Sequence, residues 1–146
     1  MKYLLDTCVV SELVRPAPIQ GLVDWINTQQ EERLFMSVLT LGELRKGIDR
    51  LAEGAKRTRL ENWLDSDLRL RFSGRWLAVD EEVAERWGLV AATAETQGVT
   101  LPVIDGLIAA TALVHGMTVV TRNDVDMRAT GVPLMNPWRI QGKDEG

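Results

Sequence analysis

The sequence predicts an α/β protein with a mainly parallel central sheet and helices packed on both faces. Three observations carry this reading. Short apolar runs alternate with longer amphipathic stretches along the whole chain, the pattern of strand–helix crossover units. Tyr3-Leu4-Leu5 and Met117-Thr118-Val119-Val120-Thr121 are continuous apolar or β-branched runs, as expected of strands covered on both sides. Asp6 and Asn123-Asp124 directly follow those runs. Right-handed crossovers point the carboxyl ends of parallel strands to one edge, and open α/β sheets bind ligands there.

The elements follow in order. Tyr3–Leu5 is the first strand. Val9 to Val14 has room for one or two helical turns before Arg15-Pro16-Ala17-Pro18, whose prolines bar a continuous helix. Ile19 to Gln29 reads as a helix with Leu22, Val23, Trp25 and Ile26 as its apolar positions, and Leu34 to Val38 as a second strand. Thr40 has the character of an N-cap, with Glu43 three residues on completing a capping box, and the helix runs to about Leu51. After a break at Gly54, Ala55 to Phe72 carries Leu60, Trp63, Leu64, Leu68 and Phe72 at helical spacing. These two helices form a hairpin. Trp76 to Val79 is a short strand, Asp80 caps a helix from about Glu82 to Gln97, and Gly98 stops it. Asp105 is placed as the N-cap of a small-residue helix ending near Gly116, Thr118 to Thr121 is a strand, and Val132 to Met135 an edge strand. Residues 1–140 are expected to form one domain and 141–146 a flexible tail.

The 146 residues suffice for one domain with a real core, and the 45% hydrophobic content is ordinary for a globular protein. No apolar run approaches the ~20 residues that a membrane span needs. The first residues lack the basic-apolar-small pattern of a secretory signal, and Cys8 is the single cysteine, so no internal disulfide can form. Both features point to the cytoplasm. The net charge of −4 argues against a sequence-reading DNA binder. Charge is uneven, however: residues 45–75 hold nine Lys or Arg against five Asp or Glu, a balance able to steer a polyanion or simply to solvate helix faces.

The acids carry the chemistry. Asp6, Glu43, Asp105 and the pair Asp124/Asp126 all fall at strand ends or near helix starts. Capping explains each one singly, and Asp124 and Asp126 also suit a turn. Capping does not explain why these positions converge on one sheet edge. Gathered carboxylates without cations repel one another, and a divalent metal resolves that conflict; such a pocket serves phosphodiester hydrolysis. Thr7 and Thr121 are candidates to orient carboxylates or water. The single histidine, His115, ends a helix, and no Ser-His-Asp system or phosphate-cradling glycine loop is present. The five tryptophans are expected to anchor the core or an interface.

Leu4-Leu5-Asp6-Thr7-Cys8-Val9-Val10-Ser11-Glu12-Leu13 resembles the opening motif of PIN-domain toxins of the VapC/FitB type. Thr40-Leu41-Gly42-Glu43-Leu44-Arg45-Lys46-Gly47, Ile104 to Ala112, and Val120 to Met127 resemble the next three motifs, and Asn136-Pro137-Trp138 a common ending. The resemblance covers nearly the whole chain and implies a three-layer α/β/α PIN fold. It also implies an endoribonuclease dependent on Mg²⁺ or Mn²⁺, the toxin of a type II toxin–antitoxin pair. By the same resemblance the RNA targets are structured, often tRNA, the toxin is a homodimer, and a VapB/FitA-like antitoxin neutralises it. Operator DNA is contacted only through that antitoxin. Carried over by position, Asp6, Glu43 and Asp105 are catalytic acids, with Asp6 and Asp105 the metal ligands; the fourth acid is Asp124 or Asp126, and Asp126 matches a frequent family Asp. The motifs depart at Cys8, where the family usually has Asn, and at Asn123, where it often has Asp. Two other readings stand beside this one. One is a PIN-like module that holds RNA or a partner without cutting. The other is a metal-dependent phosphatase of the haloacid-dehalogenase kind, which would need an Asp at position 8.

Overall fold

The computed structural model describes residues 1–139; the tail expected at 141–146 lies outside the described residues. Five strands form one sheet: β1 (Tyr3–Leu5), β2 (Leu34–Ser37), β3 (Trp76–Leu77), β4 (Thr118–Val120) and β5 (Leu134–Met135). Their order is β3-β2-β1-β4-β5, and every pairing is parallel. Central β1 and β4 are apolar on both faces because helices cover both.

The register separates two cores. Leu4 pairs with Phe35 and Val119, and these face the layer made by α6 (Glu81–Thr96) and α7 (Val103–His115). Leu5 pairs with Met36 and Val120, and these face the opposite layer. That layer contains α1 (Thr7–Leu13), α2 (Gln20–Thr28), α3 (Val38–Asp49), α4 (Ala55–Asn62) and α5 (Arg69–Arg71). The two-residue period of the strands thus sorts neighbouring apolar side chains into separate cores. The fold is the α/β/α sandwich with a helical hairpin that the pattern predicts, and its sheet is wholly parallel among the described residues.

Three local readings are corrected. Residues 55–72 are not one regular helix: a π-helical stretch, Trp63–Leu68, joins α4 to α5. Leu60, Leu64, Leu68 and Phe72 recur at four-residue spacing, which drifts ~40° per step around a regular helix; a looser turn resets that drift, and Leu64, Leu68 and Phe72 all stay buried. Thr40 is not an N-cap. Ser37 caps α3, its hydroxyl accepting from the Leu39 N–H at 3.0 Å, so Thr40 is inside the first turn and fully buried. Asp105 is not an N-cap either. Pro102 holds that position with no side-chain bond, and Asp105 is the third residue of α7. Proline favours this entry because its own ring fixes φ and the chain before the helix is extended.

The closest approach of α6 and α7 depends on Gly106. A Cβ there would lie 3.0 Å from Trp87 Nε1 and 3.1 Å from its Cδ1. Gly106→Ala is therefore expected to displace the indole and lower stability by about 1 kcal/mol. Thermal unfolding would read this as a fall of roughly 2–4 °C; an unchanged or higher melting temperature would contradict it.

Candidate active site

Adjacent β1 and β4 bring Asp6 and Thr121 side by side. The Asp6 N–H donates to Val120 O at 3.0 Å, which extends the ladder one residue past Leu5. Asp6 is buried, and its carboxylate is fixed from two sides. Oδ1 accepts from the Thr7 N–H at 2.8 Å, capping α1, and Oδ2 accepts from Thr121 Oγ1 at 2.8 Å. Capping and service at the site are the same contact here, so the two readings do not compete.

Glu43 reaches the same place from α3. Its Oε1 accepts from Thr7 Oγ1 at 2.5 Å, and Thr40 Oγ1 lies 3.0 Å from that hydroxyl. A hydroxyl has one proton. With that of Thr7 given to Glu43, Thr40 completes the chain by donating to Thr7. Thr40 therefore belongs to the site's support, a role hidden by its resemblance to a cap. Thr7 is a hub: its backbone serves Asp6 and its side chain Glu43.

Asp105 is half-buried in the first turn of α7. Its pKa is pushed up to about 6, first by burial and then by the charges of Asp6, Glu43 and Asp126. The positive end of a helix normally favours a carboxylate, so repulsion and desolvation outweigh the helix here. The same effect places Asp6, Glu43, Asp105 and Asp126 within electrostatic reach of one point.

Asp124 and Asp126 have separate fates. Both lie in the short α8 (Asp124–Met127). Asp124 is buried and neutralised: Arg139 lies 3.2 Å from Oδ2, and Asn136 Nδ2 donates to Oδ1 at 3.1 Å. Asn136 also donates to Arg122 O at 3.3 Å and accepts from the Trp138 N–H at 3.0 Å. The Asn136-Pro137-Trp138 segment is thus a clasp over the end of β4. Asp126 is exposed, and its charge acts on Asp105. Asn136 and Arg139 were not found as site-forming residues from the sequence; the first lay in a motif already noted, the second carried no signal.

Cys8 fills part of the place expected of a polar residue. Its Sγ is 3.7 Å from Asp6 Oδ2 and 3.8 Å from Thr121 Oγ1, and accepts from the Arg122 N–H at 3.5 Å. Burial, then the Asp6 charge, push the thiol up to about 11, so it is a neutral, weakly bonded neighbour of the carboxylates.

Among the described residues, none of Asp6, Glu43, Asp105 and Asp126 forms an ion pair, although seven such pairs occur elsewhere. Hard oxygen donors with uncompensated charge fit Mg²⁺ or Mn²⁺. Among the described residues no three acidic, imidazole or thiol side chains form a ready-made cage.

The fold is a parallel α/β/α sandwich with acidic side chains gathered near the carboxyl ends of its strands. A PIN domain model matches residues 3–132, and the chain belongs to the PIN-domain family. It is 36% identical over 135 residues to the VapC ribonuclease Y4jK of Sinorhizobium fredii, covering 92% of this chain and 96% of that one. It is 38% identical over 135 residues to toxin FitB of Neisseria gonorrhoeae, covering 92% and 97% respectively. The solved structure of FitAcB from Neisseria gonorrhoeae superposes with a TM-score of 0.89 at 38% identity, covering 93% of this chain and 98% of that one. That of FitAB bound to an IR36 DNA fragment gives the same score and identity, over 93% and 95%.

Proposed function

We propose that this protein is the ribonuclease toxin of a type II toxin–antitoxin pair, hydrolysing RNA phosphodiester bonds with Mg²⁺ or Mn²⁺. The observation that carries the reading is the set of four carboxylates at one sheet edge with no cation paired to them among the described residues. The VapC and FitB relatives support the ribonuclease and toxin roles. The FitAB complexes support a FitA-like antitoxin as partner, with DNA reached through it. A toxin that cuts cellular RNA would work in the cytoplasm, and the likeness to PIN-domain toxins supports reading the chain as one catalytic domain acting as a homodimer. No described helix is long and apolar enough to cross a membrane.

Asp6 and Asp105 would hold the ion; when bound, such an ion acidifies water and steadies a leaving oxygen. Asp6 presents a carboxylate already oriented by Thr7 and Thr121. Glu43, fixed by Thr7, is placed to orient a water or take its proton. Asp126, exposed opposite Asp105, adds negative charge that strengthens cation capture. Asp124 is spent on its arginine and is not proposed as the fourth acid.

Antitoxin-free protein should cut RNA with Mg²⁺ or Mn²⁺ and stop on adding EDTA, as read on denaturing gels, with activity returning when the metal is restored. Cutting that persists in EDTA after exhaustive metal removal would refute the metal role. Soluble, antitoxin-free protein that leaves RNA intact and growth unaffected would refute the toxin reading.

A further inference from the structure

Four gathered carboxylates repel the polyanion they are proposed to cut, so the substrate needs cationic holds just outside them. Two hollows offer cations: one of about 590 Å³ takes in Glu43 with Arg15, Lys56 and Arg59, and a second lies beside the end of β4. The second, of about 480 Å³, opens beside the Asp6 end of the rim, with Arg15, Pro16, Arg122 and Trp138 among its walls. Arg122 follows the end of β4, and its N–H is tied to Cys8, itself 3.7 Å from Asp6 Oδ2. Its guanidinium carbon rests 5.9 Å from the centre of the Trp138 ring, and among the described residues it forms no ion pair. The clasp fixes it from behind, through Asn136 to the Arg122 carbonyl and to the Trp138 N–H.

Among the described residues the one acid in the walls is Glu12, and its charge is paired with Arg15. It is buried, accepts from the Ile19 N–H at 3.0 Å, and pairs with Arg15 at 3.3 Å. The Arg15 side chain remains 67% exposed, leaving most of its donors free for a ligand. The hollow therefore combines two arginines, one of them beside an aromatic ring, next to the strand end that carries Thr121 and, through Cys8, adjoins Asp6. Arginine's planar fork matches phosphate oxygens better than lysine's point charge does.

We propose that this hollow is a phosphate subsite for RNA, in which Arg122 and Arg15 hold a phosphodiester flanking the scissile one and Trp138 keeps Arg122 in position. The proposal rests on the ribonuclease reading and names the part of the substrate bound at this end of the cleft. With Glu12 cancelling one of them, the arginines leave a net positive charge that offsets part of the rim's repulsion, and their forks fix which bond of the strand lies over Asp6 and Asp105.

The test uses a fluorescent single-stranded RNA of about ten nucleotides and the cleavage-disabled Asp105→Asn protein, read by anisotropy across a salt series. Arg122→Gln and Arg15→Gln, both at exposed positions, should each weaken binding about three- to tenfold and flatten the log–log salt slope by ~0.7. Arg122→Lys should keep the slope but lose part of the affinity. Arg33→Gln, at the opposite edge of the sheet before β2, should change neither. Unchanged affinity and slope in both Gln variants would overturn the subsite, as would an Arg122 requirement seen only for the neutralising protein. RNA cutting by the unaltered protein is scored separately. Cutting with arginine-independent binding sinks the subsite alone; arginine-dependent binding without cutting under Mg²⁺ or Mn²⁺ sinks the ribonuclease reading and leaves the subsite standing.

Discussion

Asp105→Asn is expected to abolish RNA cleavage and, in metal-free solution at pH 7, to melt at a higher temperature than the unaltered protein. The two effects have one cause. Burial and the neighbouring carboxylates push Asp105 up to about 6 in the folded chain, above the ordinary carboxyl value of 3.8. Between those values the folded state holds a proton that the unfolded state has released. Stability of the metal-free protein therefore falls as pH rises through this window, and the full penalty is present above about pH 6. Asp105 is half-exposed, so solvent screening reduces the penalty to about 1 kcal/mol, or roughly 2–4 °C in melting temperature. Asparagine removes the repelled charge. Added Mg²⁺ should raise the melting temperature of the unaltered protein, because a ligand that binds only the folded state stabilises it, and should do far less for the variant. At limiting metal, cleavage should rise as Asp105 gives up its proton to make room for the ion, from about pH 5 to pH 7. Calorimetry with and without metal, beside a pH–rate profile, checks all three. A variant that melts lower, or still cuts, would separate Asp105 from the assigned role.

Asp6→Ala is expected to abolish cleavage too, but with the opposite effect on stability. The Asp6 carboxylate caps α1 and accepts from Thr121 Oγ1, both at 2.8 Å. Removing a cap costs about 1 kcal/mol, and stripping a buried hydroxyl of its acceptor about 1–2 kcal/mol more. Thr121 is fully buried, with the Cys8 sulfur at 3.8 Å as its remaining weak acceptor. The expected loss is about 2–3 kcal/mol, seen as a lower denaturant midpoint with an unchanged slope. Asp6→Asn keeps an oxygen for the cap and should lose activity with a smaller fall in stability. If Asp6→Ala unfolds at the same midpoint as the unaltered chain, the hydrogen bonds do not have this weight. The pair of variants thus separates a carboxylate that the fold uses from one that the fold only tolerates.

Much of this arrangement was legible in the sequence, for physical reasons. Tyr3–Leu5 and Thr118–Val120 are short, apolar and followed by polar residues, so their pairing put Asp6 and Thr121 at one rim. The helix starts were less legible. Thr40 and Glu43 match a capping box, yet Ser37 takes the cap because the helix begins where β2 ends, three residues earlier. The π-helical stretch could not be read either, since it answers to burial against the sheet rather than to local preference. The choice between Asp124 and Asp126 depended on Asn136 and Arg139 closing back onto α8. Such long-range contacts leave no trace in the local spacing of acids.

Cys8 has a practical consequence. A thiol titrating near 11 is about one part in ten thousand thiolate at neutral pH. Thiol-directed alkylation of the native chain should therefore be slow and speed up only when α1 comes away from β4. Being the single cysteine, it gives the protein a built-in gauge of local opening beside Asp6, readable by mass without any added label.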